Sequence, residues 1–405
     1  MATTRPHPSR KTVIAGVGGT ALTALGYRAW DRGVFTGATG PAYTSWEEWH
    51  GTAVDGFRRP LRAALLAASP HNTQPWRFEE STAAITVYAD RARHLGSFDP
   101  FRREMHLGLG CAIENFVLAA RVFGIATDVD VAKGRLELSP GPHPVVAARI
   151  ALGPAKPSSD PLFDAIPKRR THRGPYRDQS IAPELLRQLA DLVSSPTIRV
   201  VFLTDDVARR EIGGLIVEST ERIIEDRDMS LDSFRWIRTG RRDVQAQRDG
   251  VTIDTAGAGR LKTVAAKLLP DLDAAAIDRI WLDATRATQT TAPVFGIILV
   301  PDRLDMVHAI AAGRAWQRLH LAATACGLAA QPLNQPVEMI DRHQMLGRPN
   351  EFASGLAALA RDKRWAPTFV FRLGYAEREA PHSPRRPLED VVAAATVAAN
   401  GRERS

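Results

Sequence analysis

Cysteine is almost missing from this 405-residue chain: only Cys111 and Cys326 occur. Both stand in apolar helical patterns, GLGCAIENFVLAA and HLAATACGLAA, and are expected as buried small hydrophobes. Two isolated cysteines exclude a disulfide framework and a zinc site. The histidines show no metal-ligand spacing either, so no metal is expected. Aromatic residues make up 7% of the chain, and no basic stripe interleaved with aromatics occurs. The net charge of +8 and pI of about 9.8 come mostly from arginines scattered between acids. That pattern sets nucleic acid aside and leaves small phosphorylated ligands, which arginine pairs bidentately. Long apolar runs are missing too. Residues 12–27, TVIAGVGGTALTALGY, at roughly 1.5 Å per helical residue, fall short of a ~30 Å hydrocarbon core.

What is present begins with a polar, basic stretch, MATTRPHPSRK, ahead of that short apolar run. The order matches the n- and h-regions of a signal peptide. Ser9-Arg10-Lys11-Thr12-Val13-Ile14 resembles a twin-arginine signal with Lys11 in place of the second arginine. Residues 1–30 are therefore expected to export the chain or anchor it at the cell envelope. The alternative is a disordered tail on a cytoplasmic protein. A linker rich in glycine and aromatics covers 31–49.

Beyond the linker the chain repeats itself. GCAIENFVLAARVFGI from Gly110 and GRAWQRLHLAATACGL from Gly313 align at an offset of 203, with Gly124 falling on Gly327. Apolar spacing of three and four makes each a buried helix closed by glycine. LRAALLAASP and LLRQLADLVSSP both end in Ser-Pro at an offset of 126, and VVAARIALGP and TFVFRLGYA both read as strands. Two related halves follow, 50–155 and 160–395. The growth of the offset from 126 to 203 assigns the second half some 77 extra residues, helical and charged, at about 205–290. An insertion of that length needs its own packing, and a lid over a site is one use for it.

The stretch LLAASPHNTQPWRF (Leu65–Phe78) is a loop rich in amides and hydroxyls between apolar segments. SPHNTQPWRF resembles the signature loop of the FMN-dependent nitroreductases. KRRTHRGPY (Lys168–Tyr176) is similar to that family's R-R-S-x-R motif, CGLAAQPLNQPVE (Cys326–Glu338) to its segment beside flavin N5, and LGYAEREAPHSPRRPLEDVV (Leu373–Val392) to its C-terminal tail. The fused arrangement resembles the family's Acg-like branch. The resemblance implies an α+β fold, duplicated in one chain as a pseudo-dimer of two mixed sheets flanked by helices, with a helical lid.

On that resemblance the cofactor is FMN, one per chain. Arg169, Arg170, Thr171 and Arg385 are expected on its phosphate, where planar guanidinium forks pair phosphate oxygens. Thr171 is expected at a helix or loop terminus, and Arg173 near the pyrimidine edge. Asn72 can donate and accept, as the flavin N3–H and O4 require. Ser69 and Pro70 are expected to approach the ring by backbone, with Gln74 beside them. Trp76 is expected to pack beneath the loop as core. Gln331, Pro332 and Leu333 are assigned the backbone contact to N5. The first half owns the loop and the second the arginines, so fusion leaves one complete site. The chemistry is the cofactor's, and no catalytic side chain is assigned; His71 and His172 are expected as hydrogen-bonding groups. The reading is an oxidoreductase passing two electrons, with NAD(P)H as possible donor, to a nitro compound, quinone or similar acceptor. The alternatives are an FMN-sequestering protein without turnover and a ligand-free structural protein. Because one chain supplies both halves, a monomer is expected.

Overall fold

The computed structural model describes residues 26–50, 56, 58–138, 141–268 and 272–394. Most of the expected export or anchor segment, 1–25, lies outside the described residues. Among those described, no helix is long and apolar enough to cross a membrane.

The first half begins with helix α1 (Arg58–Leu65) and strands β1 (Trp76–Glu80) and β2 (Ala84–Ala89). Strand β1 buries Trp76 and Phe78 and exposes Arg77 between them, the two-residue period of a sheet with one face on the core. Helix α2 (Arg103–Val122) follows. It is started by Asp99, whose carboxylate accepts from the backbone N–H of Glu104 (3.1 Å) and Met105 (3.0 Å). Gly124, at φ 74°, stops it in the left-handed conformation that glycine adopts without strain. Strands β3 (Ile125–Val131) and β4 (Val145–Pro154) complete this half.

The second half repeats the plan with helix α3 (Pro183–Val193) and strand β5 (Arg199–Leu203). Then comes the extra segment. It holds α4 (Asp206–Glu225), α5 (Arg227–Phe234), β6 (Ile237–Arg238), α6 (Arg241–Gln247), β7 (Val251–Thr252), α7 (Arg260–Leu268) and α8 (Ala274–Ala287). The plan resumes with β8 (Val294–Val300), buried at every position, and α9 (Met306–Ala325), capped by Gly327 at φ 75°. Strand β9 (Ala329–Pro332), α10 (Gln335–Leu346), α11 (Glu351–Ala360), β10 (Ala366–Gly374) and β11 (Val392–Ala394) end the described chain.

The two sheets share one order. The first reads β11-β1-β2-β4-β3 and the second β5-β8-β10-β9. Within each, the four corresponding strands pair antiparallel, and the long helix joins the second strand to the third. The first sheet is mixed only because β11, from the tail of the second half, adds in parallel to β1. The four strands of the second pair only antiparallel, where a mixed sheet was expected, and one parallel bridge, Thr171 to Ala330, lies on its β9 edge.

Helices α2 and α9 pack at the centre, and their contact is reciprocal. A Cβ on Gly110 would run into the carbonyl oxygen of Ile310, and one on Gly313 into that of Leu107. Gly110 and Gly313 stand 203 positions apart, as do Leu107 and Ile310, so each half makes the contact that the other makes. A two-fold interface has that property. Polar ties reinforce the crossing: Gln317 Nε2 donates to Asn115 Oδ1 at 2.8 Å, and Arg314 Nε pairs with Glu114 at 2.9 Å. One apolar cluster runs through both halves. A second joins the insertion, through Ile212, Ile216 and Met229, to Phe295 and Ile297 of β8. Full burial of a side chain such as Phe295 contributes about 1.5–3 kcal/mol, and this face of the second sheet anchors the extra helices.

Candidate functional site

A cavity of about 290 Å³ opens between the two halves, at the lower edge of the ~300–1,000 Å³ usual for ligand pockets. Its floor and sides come from Ser69, Pro70 and His71, from Thr171 and Arg173, and from Gln331 and Pro332. The insertion closes over it with Phe234, Ile277 and Trp281. Three of the four motif segments thus meet at one space.

The loop owes its shape to a strained backbone. His71, Asn72 and Gln74 all have positive φ, at 45°, 56° and 50°. Asparagine tolerates that region; histidine and glutamine adopt it only where surrounding bonds over-determine it. Here the Gln74 N–H donates to Ser69 Oγ at 3.0 Å, and its side chain donates to the Arg248 carbonyl at 2.9 Å and accepts from the Arg386 N–H at 2.8 Å. Asn72 Nδ2 donates to the carbonyls of Gly250 (3.2 Å) and Pro384 (3.0 Å), while Oδ1 accepts from Arg385 at 2.6 Å. Both amides are thereby spent on the insertion and the tail, and neither lines the cavity. This corrects the expectation that Asn72 and Gln74 face a ligand: they build the loop that presents Ser69, Pro70 and His71. Trp76 is fully buried beneath it, as expected.

Arg169, Arg170 and Arg385 converge behind Ser69. Arg169 Nη2 donates to the Leu66 carbonyl at 3.2 Å, and Arg385 reaches the carbonyls of Leu66 (3.4 Å) and Ala67 (3.2 Å). Nε and Nη1 of Arg169, and Nε of Arg385 and Arg170, are buried without partners among the described residues. Among the described residues, the one carboxylate paired with this cluster is Glu379, 3.5 Å from Arg170 and 82% exposed. Burial pulls the Arg169 guanidinium down to about 10, and burial and then Arg169 pull Arg385 down. Buried cations without a counter-charge are costly, and an anion would offset that cost here.

The aromatic linker supplies the wall of this cluster. Trp46 lies 4.7 Å from the Arg385 guanidinium and 5.9 Å from that of Arg170, and stacks on His382 at 4.1 Å. His320 Nε2 donates to the Arg170 carbonyl at 2.9 Å, and Nδ1 has no partner among the described residues. Sequence reasoning missed Trp46, His320 and His382; the run of aromatics before residue 50 was the available signal.

Arg173 lines the cavity, donates to the Thr255 carbonyl at 3.0 Å and is held down to about 10 by burial. Thr171 forms a parallel bridge to Ala330 of β9, and so lies on an extended edge where a helix or loop terminus was expected. Leu333 is not a cavity residue. Its N–H donates to the Val370 carbonyl at 2.8 Å, and Pro332 has no N–H to offer. The backbone donor assigned to 331–333 is therefore not available from Leu333 or Pro332, because the ladder with β10 has claimed it. His71 bonds Ser233 at 3.0 Å and His172 the Arg378 carbonyl, the structural roles expected. Burial and then Arg173 lower His71 to about 4, so it is neutral at pH 7. Cys111 is buried and lines the cavity, whereas Cys326 is exposed at the end of α9, against expectation.

The far wall is acidic, which the sequence did not suggest. Glu104 at the start of α2 and Glu338 on α10 both line the cavity, with Asn334 and Gln335 beside them.

No protein-family model matches the chain. Two Mycobacterium tuberculosis proteins named "Putative NAD(P)H nitroreductase" are similar to it over most of its length. Acg is 25% identical over 354 residues, 84% of this chain and 95% of the relative. Rv3131 is 26% identical over 360 residues, 85% and 92%. Among solved structures, the FMN-dependent nitroreductase NfnB from Mycobacterium smegmatis, in complex with NADPH, aligns at 17% identity and a TM-score of 0.35, covering 57% of this chain and 96% of its own. A nitroreductase with bound FMN from Bacteroides fragilis aligns at 14% and 0.34, covering 56% and 95%.

Proposed function

We propose that this chain is an FMN-dependent oxidoreductase of nitroreductase type, which takes electrons from NAD(P)H and passes two of them to an acceptor in the cavity. The observation that carries the reading is the uncompensated pair Arg169–Arg385. Their unpartnered N–H groups lie behind Ser69, and a phosphate dianion meets both the charge and the geometry of planar forks. Arg170 and Trp46 complete that pocket. Ser69, Pro70, Thr171, Arg173, Gln331 and Pro332 hold the rest of the molecule, and Arg173 offers a cation to a ring that gains negative charge on reduction. When bound, FMN supplies hydride acceptance and donation. The Mycobacterium tuberculosis relatives, similar over 84% and 85% of the chain, support the same class and donor.

The chain is read as a pseudo-dimer of 50–155 and 160–395 with one site. The second half's Ser195-Pro196 turn carries no amide loop, and the first half carries no arginine motif. A monomer follows, and residues 1–30 export or anchor it. The residues at about 205–290 act as a lid. Nitro compounds and quinones are the acceptor classes, since the lid lends the cavity an apolar side through Phe234, Ile277 and Trp281.

A second reading, FMN held without turnover, is favoured by the ties that close the insertion: His71–Ser233, Asn72–Gly250, Gln74–Arg248 and Arg173–Thr255. Purified protein should be yellow with one FMN per chain. Anaerobic NADPH or NADH should bleach it rapidly, and a quinone should restore the colour. Persistent yellow under both nucleotides would support the second reading, and a colourless protein that ignores added FMN would refute both.

A further inference from the structure

The acidic wall lies outside the residues assigned to the flavin, and its chemistry points elsewhere. Glu104 and Glu338 are 7% and 5% exposed, line the cavity, and sit within hydrogen-bond reach of one another. Glu104 Oε1 also accepts from Asn334 Nδ2 and lies 3.4 Å from Arg103 Nη2. Among the described residues Glu338 Oε2 has no partner, and neither has Oε1 of Gln335, a cavity residue 4% exposed on the same helix. Two buried acceptor atoms with no donor thus border one space.

The surrounding charges decide the protonation. Four carboxyl groups meet here, from Asp99, Glu104, Glu338 and Asp341. Arg103 is committed to Asp341 at 2.6 Å and to the Thr368 carbonyl at 2.6 Å, and Arg303 reaches Asp341 at 3.2 Å. Asp99 is turned to backbone N–H groups and has Arg102 nearby. His106, one turn along α2, is lowered to about 4 by burial and brings no charge at neutral pH. Of the pair, Glu104 touches the edge of the Arg103 guanidinium, while Glu338 feels its charge without an ion pair. Two carboxylates in contact, away from water, do not both ionise.

We propose that Glu104 and Glu338 hold one proton between them at the cavity wall and donate it to the acceptor reduced there. The proposal rests on the oxidoreductase reading. Reduction of a quinone balances as follows. The reduced nicotinamide gives up a hydride and leaves oxidised, and the quinone gains two electrons and one proton by that route. The O–H of the glutamate pair breaks, a new O–H forms on the second quinone oxygen, and water returns the proton to the pair.

Infrared difference spectroscopy of the FMN-loaded protein, titrated with pH, tests the pair without relying on turnover. A protonated-carboxyl band should be present at pH 6, fade only as the solution becomes alkaline, because burial and then Glu104 raise Glu338 well above the usual carboxylate range, and be absent from Glu338→Gln. In the same variant kcat for quinone reduction should fall about 100-fold, the scale of general acid catalysis. KM should change less, and the alkaline decline should vanish. A wild-type protein without the band overturns the shared proton. A band accompanied by unchanged kcat and pH profile in Glu338→Gln overturns the donation. Wild-type protein that shows the band but is not reduced by NADPH or NADH overturns the donation together with the oxidoreductase reading.

Discussion

At the scale of single residues, the site is defined by charges that lack partners. Arg169 is the clearest case, with one carbonyl acceptor and two unpartnered nitrogens. Arg169→Met should therefore raise the melting temperature of FMN-free protein, because a buried unpaired cation is replaced by apolar volume. It should also weaken FMN binding about 10- to 100-fold, since charge-assisted hydrogen bonds are worth ~1.5–3 kcal/mol. Calorimetry and fluorescence titration read the two effects, and weaker folding with unchanged affinity would refute the phosphate assignment. Histidines give a pH signature. Burial lowers His106 to about 4 from its usual 6.5, so the unfolded chain takes up the proton first. Its contribution to stability is present above pH 6.5 and is lost as pH falls toward 4. The drop in melting temperature across that window should be smaller in His106→Gln than in the wild type; equal drops would mean a solvated imidazole. The arginine motif was legible in the sequence because composition alone marks KRRTHR. The roles of Asn72, Gln74 and Leu333 were not, because a side chain's partner depends on which distant segment folds against it.

At the scale of elements, the crossing of α2 and α9 is the joint on which the site depends, since the loop before α2 and the strand after α9 both line the cavity. Gly313→Ala should lose several kcal/mol by forcing the helices apart, at or beyond the ~1–3 kcal/mol usual for overpacking, although alanine is intrinsically the better helix former. Gly214→Ala, on an open face of α4 with nothing within 4 Å, should instead gain about 0.5–1 kcal/mol. Denaturant melts of the pair give the sign, and similar values would mean that the crossing is loose. The insertion hangs on Asp249, which is 2% exposed and paired with both Arg93 and Arg238. Asp249→Ala strands two guanidinium groups, a change of the ~3–5 kcal/mol class. Limited proteolysis should then cut within 226–260 much faster than in the wild type, and unchanged cleavage would show that this segment is held elsewhere. The two long helices and their closing glycines could be read in advance, because a 3.6-residue apolar period and a left-handed cap are local properties. The antiparallel pairing of the second sheet's four strands could not, since pairing partners are not.

At the scale of the whole molecule, two sheets of one order face each other across a shared helix pair, and one polar site uses both. If the chain is a pseudo-dimer, light scattering should return the mass of one chain, 44.2 kDa, at micromolar concentration; a stable doubled mass would argue for a second copy at the site. The repeat itself lay open in the sequence: the offset of 203 between Gly110 and Gly313 is what the reciprocal helix contact requires. Periodicity, caps, loop chemistry and duplication are written in residues near one another, and they determined the elements, the two halves and the amide and arginine motifs. Tertiary structure alone decided which motif residues face the cavity, that Trp46 walls the arginine cluster, and that Glu104 meets Glu338. Those facts turn on side chains hundreds of positions apart competing for the same hydrogen bonds and the same exclusion of water, and no local pattern records who wins.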